Sequence, residues 1–214
     1  MIWLARHGET TWNVAGRYQG RLESTLTELG ERQAAALATF FAERRGRAEP
    51  VPERIVSSPL LRCTATARAV AERLNVPVET DERLIEIAHG SWEGRYRDEI
   101  ARDDTARYRL WREEPARVLF DGGESLAQVL ERWRAFANDL LREPRPTLVT
   151  THDAVIRCAL VDLMGRPLRD FWNVRVENGA FARLANDGAR LTLVRECEVE
   201  HLRGLRAEVT GQAL

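Results

Sequence analysis

Arg6 and His7 stand side by side directly after the apolar run formed by residues 2–5. A guanidinium binds phosphate bidentately and a neutral imidazole can attack phosphorus, so the pair suits a doubly charged oxyanion. The apolar run is typical of a buried strand, and Gly8 permits a sharp turn after it. The pair would then lie at the carboxyl edge of a sheet, where open α/β sheets bind ligands. For this pair alone, a core histidine beside a surface arginine is the simpler interpretation.

Two more basic residues follow segments that are predicted to be buried strands. Arg62 comes shortly after residues 54–57, and His152 comes shortly after residues 147–150. Because the carboxyl ends of parallel strands meet at one edge of a sheet, we expect both residues to converge there with the first pair. In kinases Mg²⁺ neutralises the charge of the transferred phosphoryl group. Here two guanidiniums and a protonated His152 would replace the metal.

Three predicted helices begin at recognisable caps. Ser58 is predicted to cap a helix that has Pro59 at its first position, and the unpaired backbone N–H groups of that helix would also face the phosphate. Thr27 is a predicted N-cap, and Ser125 with Gln128 forms a predicted capping box. Apolar residues recur at helical spacing in all three segments, so we expect these helices to pack on the sheet.

Strands and helices alternate along the chain, and no repeat or linker divides it. Residues 181–184 and 191–194, joined through Asn186-Asp187-Gly188, are typical of a hairpin that adds antiparallel character. We therefore predict an α/β fold, a three-layer sandwich with a mostly parallel mixed sheet flanked by helices. Residues 1–214 are predicted to form one domain, with a tail at residues 204–214 whose weak pattern suggests fraying.

The composition limits the partners and the location. The chain has 214 residues, 44% of them hydrophobic, a formal net charge of −1 and a pI near 6.5. This balance gives no electrostatic basis for binding nucleic acid or an anionic membrane. No apolar run approaches membrane-spanning length, and a strand that starts at Ile2 leaves no room for a signal peptide. Cys63, Cys158 and Cys197 lack C-x-x-C spacing and are expected to be thiols, so we predict a cytoplasmic protein.

Several enzyme classes are excluded or disfavoured. All 32 basic residues are arginine, whereas P-loop kinases, pyridoxal enzymes and Schiff-base aldolases each need a lysine amine. The four histidines show no H-x-x-x-H pairing, so we predict no metal site and assign no cofactor. Residues 197–203 fit the C-x₅-R pattern of cysteine phosphatases, but they include two carboxylates and no glycine. No paired aspartates of the haloacid phosphatase kind follow a strand.

Five segments resemble, in the same order, those of the histidine phosphatase superfamily, which includes the cofactor-dependent phosphoglycerate mutases. They are Arg6-His7-Gly8-Glu9-Thr10 with Arg17-Tyr18-Gln19-Gly20, then Ser57-Ser58-Pro59-Leu60-Leu61-Arg62, Leu84-Ile85-Glu86-Ile87 with Gly90-Ser91-Trp92-Glu93-Gly94, Gly122-Gly123-Glu124-Ser125, and Val149-Thr150-Thr151-His152 with Val155-Ile156-Arg157. Each segment alone is weak evidence. Five in the family's order are not expected by chance.

The resemblance implies a catalytic role for five residues. His7 would be the nucleophile that forms a phosphohistidine, while Arg6, Arg62 and His152 would hold the phosphate. Glu86 would protonate the departing alkoxide and later deprotonate the water that hydrolyses the phosphohistidine. Because Glu86 stands in an apolar run, we expect its pKa to be raised.

The resemblance also implies a set of substrate-binding residues, namely Asn13, Gln19, Gly20, His89 and Asp153. Asp153 departs from the family's pattern, which commonly has glycine at this position. Its backbone N–H can still bind phosphate, but its carboxylate would repel a dianion unless it turned away to cap the following helix.

The predicted function is that of a metal-independent phosphomonoesterase, a histidine acid phosphatase-type hydrolase acting on a small phosphorylated metabolite. The string at residues 90–94 is more similar to the phosphatase branch than to the mutases. A mutase-type phosphoryl transfer and a non-catalytic phosphate-binding module remain as alternatives. Residues 95–121, a predicted helical insertion over the site, would hold the substrate preference, although their alternating charges also fit a solvated helix. The sequence determines neither the substrate nor the oligomeric state.

Overall fold

The computed structural model describes residues 1–206, and within them six strands form one sheet in the order β3-β2-β4-β1-β5-β6. The strands are β1 (Ile2–Arg6), β2 (Arg54–Ser57), β3 (Val78–Thr80), β4 (Thr147–Thr151), β5 (Phe181–Asn186) and β6 (Leu191–Glu198). The pairs β1–β4, β2–β4 and β2–β3 are parallel, and β5 runs antiparallel to both β1 and β6. The predicted mixed sheet and its late hairpin are confirmed.

Helices cover both faces of this sheet. They are α1 (Thr11–Ala15), α2 (Glu28–Gly46), α3 (Leu61–Leu74), α4 (Arg97–Asp103), α5 (Thr105–Glu113), α6 (Leu126–Arg142) and α7 (Asp153–Leu163). Side chains alternate across β1: Trp3 and Ala5 pack in the core that α2 and α3 cover, whereas Ile2 and Leu4 pack in the core of α6 and α7. The predicted three-layer sandwich is therefore confirmed.

Two of the predicted helix caps are present. The Thr27 hydroxyl accepts the Gly30 N–H at 3.0 Å at the start of α2. Ser125 and Gln128 form the capping box of α6, since each side chain accepts the other's backbone N–H. These local patterns suffice to set both helix starts because the cap and its partner lie within three residues.

The predicted start of α3 is wrong. The helix begins at Leu61 with Leu60 at its N-cap position, two residues after the predicted cap, Ser58. The Ser58 hydroxyl lies 2.7 Å from Nε2 of His152 and also accepts the Leu60 N–H at 3.4 Å. The Leu61 N–H donates to the carboxylate of Glu23, at 3.1 Å from Oε2. The sequence suggested that the N–H groups at the start of α3 would be free to bind phosphate. In the structure Ser58 and Glu23 accept the N–H groups of Leu60 and Leu61.

Residues 95–121 contain α4, α5 and a short 3₁₀ turn. Trp111 is fully buried in the core, but the segment's arginines pair with nearby acids, as in Arg109 with Glu113 at 3.0 Å and Arg117 with Glu114 at 2.9 Å. Such arginine positions fit a solvated helix surface.

The last described residues, 203–206, lie against the fold, where the Leu205 carbonyl accepts a hydrogen bond from Gln33. The rest of the tail named above, residues 207–214, lies outside the described residues. In the described part of the chain, no helix has the length and apolar character needed to cross a membrane.

Candidate active site

His7 follows the last residue of β1 and is 2% exposed. Its Nδ1 lies 2.7 Å from the Gly8 carbonyl oxygen, which can only accept, so Nδ1 carries the hydrogen. Burial, with the charges of Arg62 and Arg6, lowers the pKa of His7 well below its ordinary value. The ring is therefore neutral with a lone pair on Nε2, which is the form that a nucleophile needs.

A small cavity adjoins His7 at the carboxyl edge of the sheet. Eight of the ten predicted site residues line it, namely Arg6, His7, Asn13, Gln19, Gly20, Arg62, Glu86 and His89. The two others, His152 and Asp153, do not line it and lie behind its basic residues. The structure thus brings together eight of the ten predicted site residues around the cavity. His152 and Asp153 contact two of those residues, Arg62 and Arg6, without lining the cavity.

The guanidinium of Arg62 forms one wall and is held by three acceptors. Nη2 donates to the Gly20 carbonyl at 2.7 Å, Nη1 to the Leu22 carbonyl at 2.8 Å, and Nε to Nδ1 of His152 at 3.3 Å. Gly20 has φ +50°, and a Cβ there would meet Oε1 of Glu93 at 2.1 Å. Glycine at position 20 therefore lets the backbone carbonyl reach the guanidinium.

The ring of His152 lies behind this wall, with its centroid 5.3 Å from that of His7. Because Arg62 can only donate, Nδ1 of His152 must accept, and the hydrogen sits on Nε2, which faces the Ser58 hydroxyl. Burial, followed by the charge of Arg62, lowers the pKa of His152 well below its ordinary value. In the structure the ring of His152 is therefore neutral and orients Arg62, whereas a protonated His152 beside a phosphate stays a prediction.

The carboxylate of Asp153 is buried between two arginines. Its Oδ2 lies 3.1 Å from Nη1 of Arg6, and its Oδ1 accepts from Nε of Arg157. The carboxylate has turned away from the cavity, as a dianion requires, but it pairs with these arginines and does not cap α7. Asp153 thus acts on the cavity through Arg6.

Glu86 faces the cavity and is 4% exposed. Burial raises its pKa to about 7, against the opposing charges of Arg62 and Arg6. Its loop is held on both sides, since the Thr151 hydroxyl donates to the Leu84 carbonyl at 2.6 Å and the Glu124 carboxylate accepts the Ala88 N–H at 3.1 Å. Below pH 7 Glu86 is a positioned acid with a proton to give.

His89 also lines the cavity and is 1% exposed. Its ring makes edge-on contacts with Phe120, Tyr18 and Trp111, at centroid distances of 4.8, 5.1 and 5.9 Å. Neither ring nitrogen has a hydrogen-bond partner among the described residues, and burial lowers the pKa of His89 to about 3. The ring therefore presents a neutral polar edge within an apolar cluster.

Asn13 and Gln19 complete the polar side of the cavity. The Gln19 amide oxygen accepts from the hydroxyls of Thr10 at 3.0 Å and Ser24 at 2.5 Å, and the Asn13 amide oxygen accepts the Thr10 N–H at 3.0 Å. Because both amide oxygens are engaged, each side chain has its NH₂ group to offer an oxyanion.

Sequence reasoning missed the partners that orient these groups. Ser58 meets His152 from 94 positions away, and the Thr66 hydroxyl accepts the Gly8 N–H from 58 positions away. No local pattern indicates such pairs; a hydroxyl on the sheet-facing side of a predicted helix is the one signal available for Thr66.

The described residues contain no group of three or more His, Cys, Asp or Glu side chains that could hold a metal ion. Fold and cavity together define an α/β protein with an arginine- and histidine-lined cavity at the carboxyl edge of its sheet. The family model of the histidine phosphatase superfamily (branch 1) matches residues 2–198, and the chain belongs to this superfamily.

Named relatives agree with this assignment. Phosphoserine phosphatase 1 of Hydrogenobacter thermophilus is 36% identical over 181 residues, which cover 84% of this chain and 83% of the relative. Adenosylcobalamin/alpha-ribazole phosphatase of Salmonella typhimurium is 31% identical and covers 86% of this chain, matching 89% of its own length. The solved structure of Bacillus stearothermophilus YhfR has a TM-score of 0.85 at 31% identity and covers 94% of this chain and 98% of its own.

Proposed function

We propose that the protein is a metal-independent phosphomonoesterase, a phosphoric monoester hydrolase of the histidine acid phosphatase type, which hydrolyses a small phosphorylated metabolite through a phosphohistidine at His7. The observation that carries the proposal is the pairing, in one cavity, of a neutral imidazole whose Nδ1–H is bound to the Gly8 carbonyl with a carboxyl whose pKa is about 7. The names of the relatives, which are phosphatases of small metabolites, support the reaction class.

In the first step, Nε2 of His7 attacks phosphorus and the bond from phosphorus to the ester oxygen breaks. The proton of Glu86 goes to the departing alkoxide, so the alcohol leaves neutral and Glu86 becomes ionised. The imidazole gains a bond to phosphorus while its Nδ1–H remains bound to the Gly8 carbonyl, which stabilises the charge that develops on the ring.

In the second step, a water molecule attacks the phosphohistidine. The ionised Glu86 takes a proton from this water, the bond from Nε2 to phosphorus breaks, and inorganic phosphate forms. The two steps return His7 and Glu86 to their starting protonation states, so one acidic residue serves both half-reactions.

Arg62, Arg6 and the NH₂ groups of Asn13 and Gln19 would donate hydrogen bonds to the phosphoryl oxygens and stabilise their negative charge. Fixed donors lower a barrier because they need no reorganisation when charge develops. Arg62 is held by three acceptors and Arg6 by Asp153, which supports such a preorganised site. These groups would do the work for which other phosphoryl-transfer enzymes use a metal ion.

The decisive experiment measures turnover and the covalent intermediate in the same preparation. With p-nitrophenyl phosphate and a panel of phosphorylated metabolites, we expect hydrolysis in excess EDTA and an acid-labile, base-stable phosphate on His7 after rapid quenching. His7→Ala should lose about 10⁴-fold or more of the rate. His201→Phe, which removes an imidazole outside the cavity and keeps the stacking on Phe181, should retain it.

Other outcomes would favour the alternatives. Loss of activity in EDTA that one divalent ion restores would contradict metal independence. Interconversion of phosphoglycerates that depends on a bisphosphoglycerate primer would favour a mutase. Phosphate binding without turnover at any pH would favour a non-catalytic module.

A further inference from the structure

The hydrogen bond that sets the tautomer of His7 depends on the orientation of one peptide group. The Gly8 carbonyl, which accepts from Nδ1 of His7, belongs to the same peptide plane as the N–H of Glu9. That N–H donates to Oε1 of Gln33, an α2 residue, at 2.8 Å. The Gln33 side chain therefore fixes the plane from the side opposite to His7.

The amide of Gln33 has one possible orientation. Its Oε1 faces a backbone N–H, which can only donate, and its Nε2 lies 2.8 Å from the Leu205 carbonyl, which can only accept. The side chain is completely buried. A continuous chain of hydrogen bonds thus runs from Leu205 through Gln33 and the Gly8–Glu9 peptide to the ring of His7.

Neighbouring positions of α2 contact the backbone on either side of this peptide group. Thr27, Gly30 and Gln33 are spaced three apart, so they share one side of the helix start. The Thr27 N–H donates to the Glu9 carbonyl at 2.9 Å, and a Cβ on Gly8 would meet the Gly30 carbonyl oxygen at 2.4 Å. Among the contacts of Thr27, Gly30 and Gln33, the contact of Gln33 is a side-chain hydrogen bond to the Gly8–Glu9 peptide itself.

We propose that Gln33 is a positioning residue that keeps His7 in the Nδ1–H tautomer, with the Leu205 carbonyl orienting its amide. Neutral histidine in water favours the opposite tautomer, in which the hydrogen occupies Nε2. A histidine with its hydrogen on Nε2 has no lone pair on that nitrogen to attack phosphorus, and its lone pair lies on Nδ1. The proposal therefore rests on the proposed function for its effect on rate, but its effect on the tautomer stands independently.

The test replaces Gln33 with leucine, which is apolar, one atom shorter, and removes both hydrogen bonds. Asn186→Leu is the matched control because the Asn186 amide also accepts a backbone N–H, from Gly188, and donates to a carbonyl, that of Leu140, but far from the cavity. Both variants lose the same kinds of bond. Each is compared with the wild type for ring ¹⁵N shifts of His7, assigned with His7→Ala, for the single-turnover rate of phosphohistidine formation and for the affinity for inorganic phosphate.

We expect Gln33→Leu to show a mixture of His7 tautomers and about a tenfold loss in the transfer rate, with the affinity for inorganic phosphate unchanged. Asn186→Leu should keep the wild-type tautomer and rate. If Gln33→Leu keeps both the wild-type tautomer and the wild-type rate, the proposal is overturned. An equal loss of rate in both leucine variants would also overturn it, because it would mean that stability alone matters.

Gln33→Glu provides a second variant if the leucine variant does not fold. It retains an acceptor for the Glu9 N–H, so His7 should keep its wild-type tautomer. A mixed tautomer in Gln33→Glu would contradict the proposal. Absence of phosphohistidine in the wild type would instead contradict the proposed function, while leaving the ¹⁵N comparison valid.

Discussion

The two walls of the cavity are held in opposite ways. On one side, called here the basic wall, Arg6, His7 and Arg62 are tied by hydrogen bonds and an ion pair to Asp153, the Gly8 carbonyl and other fixed acceptors. On the other side, called the aromatic wall, His89 is held by edge-on contacts with Tyr18, Trp111 and Phe120, and its ring nitrogens have no partner among the described residues.

This difference separates the chemistry from the choice of substrate. Hydrogen bonds with fixed geometry define where a charged group must lie, so the basic wall suits the phosphoryl group that all substrates share. Ring contacts define a shape, and a buried nitrogen without a partner costs stability that a ligand can recover. We therefore expect the aromatic wall to contact the variable part of a substrate. The residues of α5 enter this wall through Trp111.

The largest effect that we expect for this comparison comes from Glu86, the proposed proton donor to the leaving group. Glu86→Gln keeps the shape but has no proton to transfer, so hydrolysis of alkyl phosphates should slow by about 10²-fold or more. p-Nitrophenyl phosphate has a stable leaving group, and its transfer step should slow much less. Single-turnover rates for both substrates in both proteins test this. An equal loss on the two substrates would mean that Glu86 supports the basic wall and another residue supplies the proton.

A second effect is the pH dependence that Glu86 imposes. Because burial raises its pKa to about 7, the proton is present below that pH and lost above it, while His7 stays neutral because its pKa is lowered. For alkyl phosphates, kcat/KM should therefore fall above pH 7 by about tenfold per pH unit. Profiles of the wild type and Glu86→Gln are the measurement. If kcat/KM of Glu86→Gln fell with the same midpoint pH as that of the wild type, the titrating group would not be Glu86.

The smallest effect concerns the aromatic wall. His89→Phe keeps the ring contacts and removes two buried nitrogens without partners, so the free energy of unfolding should rise by about 1 kcal/mol. Activity on p-nitrophenyl phosphate should change little, whereas kcat/KM for the preferred metabolite should fall about tenfold. Denaturant unfolding and the two assays measure both. A loss of stability, or an equal loss on both substrates, would place His89 with the basic wall.

The sequence predicted those strands and helix starts that depend on residues close together in the chain. Apolar runs that end in polar residues located three parallel strands, and caps within three residues of their partners located the starts of α2 and α6. The predicted start of α3 was two residues early, because the Ser58 hydroxyl contacts His152 as well as the Leu60 N–H, and Glu23 binds the Leu61 N–H from outside the helix. A cap pattern cannot reveal a competing partner far along the chain.

The direction of a pKa shift could be predicted from the sequence only where apolar neighbours in the chain indicated that the group is buried. The apolar run around Glu86 indicated its raised pKa. For His152, the sequence could not show that Arg62 points a donor at its Nδ1, and this contact together with burial makes the ring neutral. Gln33 was missed for the same reason, since its partners, Glu9 and Leu205, are brought to it by the fold.

The buried carboxylate of Asp153 has a consequence for the end of each turnover. Inorganic phosphate is the product, and it competes with substrate for the same cations in a phosphatase. Since Asp153 already shares the charge of Arg6 and also engages Arg157, the cavity attracts a loose dianion less than two unshared guanidiniums would. We therefore expect weak product inhibition, which would let the enzyme keep working as phosphate accumulates.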